Sequence, residues 1–353
     1  MKQARKLSLG VRWCASGMLV LGMVMAGMCS GQAVAQEAAS EPTPQKLTVG
    51  RHITLADLKD GKIHASIQPP KAGIGKRLNP LEAEGLTGKS HTKPASESGA
   101  DGIAFYPADL TYQGGPVLQT LVSHNIYINC TASCFGYPGV FLNNWGHSSL
   151  MHVTDQYVGT RASHRYTVGP GGSITIPVSG PIGPNEWLAF VYLAASVFGS
   201  GYGDQYHIFF APGIDVCQDT ALTVCYSPDN LNTFFFCAFH GYVDFTDIGH
   251  VLFSIEPYAN VNGCQVNQPS PNSAETDSQA NVLSHELTET ITDPDLDAWW
   301  NFYGLGNVGE EIGDECANVY FSYANTSLNG HWYEVQPEYS NVQHACAFRP
   351  PSD

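Results

Sequence analysis

The sequence predicts an α+β fold, with strands concentrated in the N-terminal half of the body and one long helix in its C-terminal part. Three observations carry that reading. Apolar and aromatic runs bounded by Gly, Pro and Asn recur at Val117–Cys130, Ser173–Val178, Trp187–Val197, Tyr206–Ala211, Thr233–Phe245 and Val251–Tyr258, with a late pair around His331–Tyr339. Helical patterning stands out at two places, around Asn143–Tyr157 and over Asp277–Thr292. The body, residues 101–353, is long enough for one large domain or two small ones.

Two segments precede the body. Residues 1–35 read as a secretory signal: Lys2, Arg5, Lys6 and Arg12 form the basic end, Ala15 to Met28 the apolar stretch, and Ala33-Val34-Ala35 a small-x-small cleavage site. The apolar part is short for a membrane span, so the mature chain is expected to be secreted, extracellular or periplasmic, with no membrane partner after signal removal. Residues 36–100 are rich in Pro, Ala, Gly, Ser and charge and read as a propeptide or disordered linker, with one stretch, Leu47 to Ile67, able to form a strand or hairpin.

Charge divides the chain at the same boundary. Residues 36–100 hold nine Lys and Arg against seven acids, whereas from 101 onward there are 25 acids, three basic residues (Arg161, Arg165, Arg349) and no lysine. An acidic body excludes nucleic acid and anionic membranes as partners, because both need basic patches. A mildly basic leader on that body could dock electrostatically over a site until removed, with Lys76-Arg77 as a cut point; a plain solvated linker is the alternative.

Cys14 and Cys29 leave with the signal, and eight cysteines remain. An even count in an oxidising compartment implies disulfides. Proximity in the chain suggests Cys130–Cys134, Cys217–Cys225, Cys237–Cys264 and Cys316–Cys346, the last tying the acidic segment around Cys316 to the C-terminal strand.

The chemistry concentrates in Ser284-His285-Glu286-Leu287-Thr288-Glu289. Asp277 or Ser278 can cap this helix, Val282, Leu283, Leu287 and Ile291 recur at helical spacing, and Asp293-Pro294 stops it. Residues four apart share a face, so His285 and Glu289 point the same way, and Glu286 reaches the flank of the same site. That is the zincin-like arrangement of two metal ligands with an intervening carboxylate to handle a proton, except that the second ligand is Glu rather than His. Downstream, Glu310-Glu311-Ile312-Gly313-Asp314-Glu315-Cys316 offers a third ligand. Glu311 is the expected one, with Asp314 orienting His285; Glu310 with Asp314 is the four-apart alternative. Apolar and uncharged neighbours around the three titratable groups make ionised side chains costly there unless paired or metal-bound.

Other residues add alternatives. His240, on the aromatic run Phe236-Cys237-Ala238-Phe239-His240-Gly241-Tyr242, is either a substrate-binding imidazole near the metal or a hydrogen-bonded core histidine. His331 and His344 are further candidate ligands. Asp293, Asp295 and Asp297 alternate like half of a calcium loop, but Ala298 stands where its Gly is needed, which leaves only a looser Ca2+ site. No Gly-x-Ser-x-Gly occurs.

Leu110-Thr111-Tyr112-Gln113-Gly114-Gly115-Pro116-Val117-Leu118 resembles the opening of the exordium-like, phosphate-induced protein family. Asp293-Pro294 after the long helix, Glu311-Ile312-Gly313-Asp314-Glu315-Cys316 and the Tyr339-Ser340-Asn341 to Cys346 ending are similar to its later landmarks. The resemblance covers most of 105–350 and implies a secreted or cell-wall protein without assigned chemistry. Its plant members do not keep an intact His-Glu-x-x-Glu, so this chain resembles a microbial branch.

Together these features lead to the expectation of a secreted zinc-dependent hydrolase acting on peptide bonds. His285, Glu289 and Glu311 would hold Zn2+, Glu286 would be the general base, and His240 or Tyr333 would stabilise the oxyanion. The alternative is a non-catalytic extracellular protein with a structural metal or Ca2+, bound to a cell-wall polymer.

Overall fold

Strands rich in β-branched and aromatic residues pair into one mixed sheet. In chain order they are β1 (Gln45–Lys46), β2 (Ile63–Gln68), β3 (Leu121–Ile128), β4 (Tyr166–Val168), β5 (Gly172–Ile174), β6 (Gly201–Phe210), β7 (Ala238–Phe245) and β8 (Gly249–Pro257). Across the sheet the order is β1-β5-β3-β6-β8-β7-β2, with β4 also paired to β3. The centre, β3, β6 and β8, is parallel, and β7 folds back antiparallel on β8. The computed structural model describes β1, β2 and residues 109–266, 269–301, 311–317 and 325–351. Residues 1–35, expected to be a secretory signal, lie outside the described residues, as do Lys76-Arg77 and Glu310.

Helices cover both faces, so the fold is α+β with a strongly parallel centre. On one face Ile126, Ile128, Ile208, Phe210, Phe253 and Ile255 pack with Trp187, Leu188, Val191 and Ala194 of α2 (Pro184–Phe198), which follows α1 (Pro138–Gly146) in the chain. The residues of opposite parity, Tyr127, Phe209, Leu252 and Tyr242, pack with Phe141 and Trp145 of α1 and with Leu283, Leu287 and Ile291 of α3 (Ala274–Thr292). Each fully buried Leu or Ile of that stripe contributes about 2 kcal/mol.

Two sequence expectations are corrected. The run Trp187–Val197, expected as a strand, is helix α2. A continuous apolar run has no period of its own to separate the two states, and its 15 residues exceed strand length. The helix start is fixed by Pro184 at the first helical position and by the Glu186 carboxylate, which accepts from the Gly183 N–H at 3.1 Å. The helix expected around Asn143–Tyr157 starts earlier, at Pro138, ends at Gly146, and is followed by separate short turns at Met151–Thr154 and Asp155–Val158.

Two pieces of the 36–100 segment belong to the sheet. β1 lies parallel to β5 at one edge. At the other edge β2 pairs antiparallel with β7 and sets Ser66 opposite His240. Four disulfides close as the cysteine spacing suggested: Cys130–Cys134, Cys217–Cys225, Cys237–Cys264 and Cys316–Cys346. The last joins the single turn α4 (Asp314–Ala317) to the hairpin of Glu338–Ser340 and Ala345–Ala347. Among the described residues no helix is long and apolar enough to cross a membrane.

Candidate metal centre

Helix α3 starts where Ser273 accepts from the Thr276 N–H and ends at Asp293, whose Oδ1 accepts from the Asp297 and Ala298 N–H groups, each at 2.6 Å. The starting cap is thus Ser273, not Asp277 or Ser278. The helix is buried all round, which its many Thr and Ser permit: Thr288, Thr290 and Thr292 turn their hydroxyls back onto the carbonyls four residues earlier. Beneath it the sheet presents a polar stripe in place of apolar core. Gln205 donates to Thr290 Oγ1, and Ser123, His207, Ser254 and Glu256 form a hydrogen-bonded row across β3, β6 and β8.

His285, Glu286 and Glu289 project from α3 toward β7 and the acidic segment, with side chains 0% exposed. His285 Nε2 lies 3.1 Å from Glu289 Oε1 and 3.5 Å from Asp314 Oδ1. The other ring nitrogen has a fixed role. Gln336 donates its amide N–H to Gly313 O at 2.8 Å, so its Oε1 is an acceptor, and His285 Nδ1, 3.2 Å away, carries the hydrogen. A neutral His285 therefore aims the Nε2 lone pair at two carboxylate oxygens, an arrangement that is repulsive until a second proton or a cation stands between them.

Gly313 allows this approach. A Cβ there would sit 2.7 Å from His285 Nδ1 and 3.0 Å from Glu289 Oε1, so only glycine lets the acidic segment press onto the helix. The next N–H, of Asp314, donates to Glu289 Oε1 at 3.1 Å.

His240 joins from β7. Its Nδ1 is 3.2 Å from Glu286 Oε2 and 3.3 Å from Glu289 Oε2, and its Nε2 is 3.6 Å from Glu311 Oε1. The structure thus groups Asp314, not Glu311, with His285 and Glu289, and sets Glu311 against His240. Asp314, expected to orient His285, shares that group, and Glu311, the expected third ligand, stands 3.6 Å from His240 Nε2. His240 belongs to the cluster and not to an ordinary core.

Burial and mutual charge tune these groups in opposite directions. Burial pushes Glu286 up to about 7 against the hydrogen bond from His240, which suits a group that takes and returns a proton near neutrality. Burial and then Glu289 push Asp314 up to about 6. Burial also opposes ionisation of Glu289, but His285 and His240 outweigh it and bring Glu289 to about 2. For both imidazoles, burial favours the neutral form and the surrounding carboxylates overcome it, raising them well above the usual range. Buried carboxylates outnumber the imidazoles that face them, and a divalent cation is the chemical species that offsets such an excess.

No protein-family model, curated protein or solved structure matches this chain. Among the described residues two groups of His, Cys, Asp and Glu could hold a metal ion, His240 with Glu286 and Glu289, and His285 with Glu289 and Asp314.

The remaining candidates lie elsewhere. His344 is exposed beside Asp109, and neither it nor His331 belongs to the two groups. Tyr333 accepts from Asn144 within the α1 core. Asp293 caps a turn and Asp295 meets His250 and Tyr202, and among the described residues none of the three alternating aspartates belongs to a group placed to hold a metal ion. Gln336 and the fully buried Glu256 and Glu338 were missed. Gln336 lies within the late run, between the strands His331–Glu334 and Glu338–Ser340, and gives no local signal, while Glu256 could have been noticed as a lone carboxylate inside an apolar strand.

Proposed function

We propose that the chain is an exported metal-dependent hydrolase that cleaves peptide bonds. One observation carries the reading: the Nε2 lone pair of His285, whose tautomer Gln336 fixes, converges with Glu289 Oε1 and Asp314 Oδ1 on one point inside the protein. His285, Glu289 and Asp314 would hold the ion. Its imidazole and two carboxylates suit Zn2+ better than Ca2+, which takes six to eight oxygens. A bound Zn2+ supplies Lewis acidity toward a scissile carbonyl.

The chain's own residues would do the rest. Glu286 takes a proton from the attacking water and returns it to the leaving amine, its pKa of about 7 fitting both transfers. His240, held between Glu286 and Glu311, orients that carboxylate and as a cation offsets negative charge developing on the substrate. The leader fits this reading as a cover. β2 occupies the hydrogen-bonding edge of the strand that carries His240, where an extended polypeptide could otherwise pair.

A second reading, a non-catalytic extracellular or wall-associated protein with a structural ion, is favoured by the burial of His285, His240, Glu286 and Glu289. The decisive experiment is peptide hydrolysis by the purified chain and its Glu286→Gln variant, with zinc content measured alongside. The proposal expects zinc in both, one ion fewer per chain in His285→Ala than in the parent, and turnover at least a hundredfold lower in Glu286→Gln. Zinc with no turnover by either would favour the structural reading.

A further inference from the structure

Glu289 faces two imidazoles at once. Its Oε1 is 3.1 Å from His285 Nε2, and its Oε2 is 3.3 Å from His240 Nδ1. The ring of His240 repeats the problem posed by His285. One nitrogen, Nε2, lies 3.6 Å from Glu311 Oε1, beyond hydrogen-bond distance. The other, Nδ1, is hydrogen-bonded to Glu286 Oε2 at 3.2 Å and lies 3.3 Å from Glu289 Oε2, so a cation seated there would take the place of its proton. A neutral imidazole has a single N–H, so one nitrogen must meet anionic oxygen with a lone pair unless a second proton or a cation intervenes. Glu286 Oε1 and Glu289 Oε2 accept no hydrogen bond, although both side chains are 0% exposed. His240, Glu286 and Glu289 each bring one ligand atom to within 4.8 Å of the other two.

Charge balance points the same way. One divalent ion at His285 offsets Glu289 and Asp314, leaving Glu286 and Glu311 beside a single imidazole, with the buried Glu256 close enough to Glu286 to feel its charge. From residue 101 onward the chain carries three arginines and no lysine, and Arg165 pairs with Asp155.

We propose that Glu289 bridges two ion seats, and that a second divalent cation binds between His240 Nδ1, Glu286 and Glu289 Oε2, with Glu311 orienting the imidazole. The inference rests on the proposed function for the first seat only. It follows that the second ion competes with hydrolysis. Once coordinated, Glu286 cannot take a proton from water, so turnover peaks near one equivalent of Zn2+ and falls as the second seat fills.

The test uses the purified chain stripped with a chelator and dialysed against Zn2+, with bound metal counted by mass spectrometry and Mn2+ followed by electron paramagnetic resonance. Two ions per chain are expected, one in His240→Asn, one in the nearly isosteric Glu286→Gln, and one in Asp314→Asn. Circular dichroism verifies folding of each variant. At two equivalents of Mn2+ the parent should give an exchange-coupled spectrum and the single-seat variants an uncoupled one. Saturation at one ion, lost in Asp314→Asn and kept in His240→Asn, overturns the second seat and leaves the first standing. Two ions retained in both His240→Asn and Glu286→Gln also overturn it, since the extra ion then sits elsewhere. No bound ion at all overturns both proposals.

Discussion

Replacing Gln336 by Leu tests whether the geometry around His285 is built for a metal. Gln336 does two things: its Oε1 accepts from His285 Nδ1 at 3.2 Å, and its amide donates to Gly313 O at 2.8 Å, clamping the acidic segment to the helix. Leucine removes both bonds while filling a similar volume. The ring then loses the partner that fixes its tautomer, and Asp314 loses part of what holds it opposite Nε2. Loss of such a supporting hydrogen bond lowers metal affinity by about 10–100-fold, or about 1.4–2.7 kcal/mol. Competition for Zn2+ against a chromogenic chelator measures this directly, with circular dichroism as the folding control. Affinity within threefold of the parent, in a folded variant, would refute the argument that Gln336 sets the ligand nitrogen.

Two further predictions follow from other parts of the molecule. His207, fully buried between Ser123 and Ser254, is held by burial, and by the nearby His124, down at about 3. Its folded pKa is depressed, so the unfolded chain takes up the proton first as pH falls. Stability is full above about 6.5 and declines below it, by about 2 kcal/mol at pH 5. Denaturant unfolding at pH 7 and pH 5 should show a smaller loss in His207→Gln than in the parent, and an equal loss would contradict the assignment. The leader offers a functional check: brief trypsin treatment finds nine Lys and Arg in residues 36–100 and only three Arg beyond them, one of which, Arg165, is buried. Removal of the β2 segment should raise peptide hydrolysis severalfold, and unchanged turnover after its loss would remove the covering role.

How much of this was legible beforehand depends on whether the signal was local. The His285 helix was, because i and i+4 project from one face whatever the rest of the chain does, and Asp293-Pro294 marks where it stops. The disulfide pairs were legible because each links cysteines near in sequence. What the chain could not reveal is tertiary. Whether Glu311 or Asp314 meets His285 is decided by the close approach at Gly313, and the partnership of His240 with Glu286 and Glu289 is made across the gap between β7 and α3. Gln336 is separated from His285 by 51 residues and looks like any strand-end amide. The α2 run lacked a period, so its sequence fitted strand and helix equally. The pairing of β2 with β7 spans far more chain than any local pattern can report.

The central claim is that a divalent cation belongs between His285 Nε2, Glu289 and Asp314. Crystals of the zinc-loaded protein measured on both sides of the zinc absorption edge test it most directly. The account predicts an anomalous peak about 2.0–2.2 Å from His285 Nε2 and from an oxygen of each of Glu289 and Asp314. Absence of a peak there, with Glu289 Oε1 still at hydrogen-bond distance from a doubly protonated His285, would contradict it.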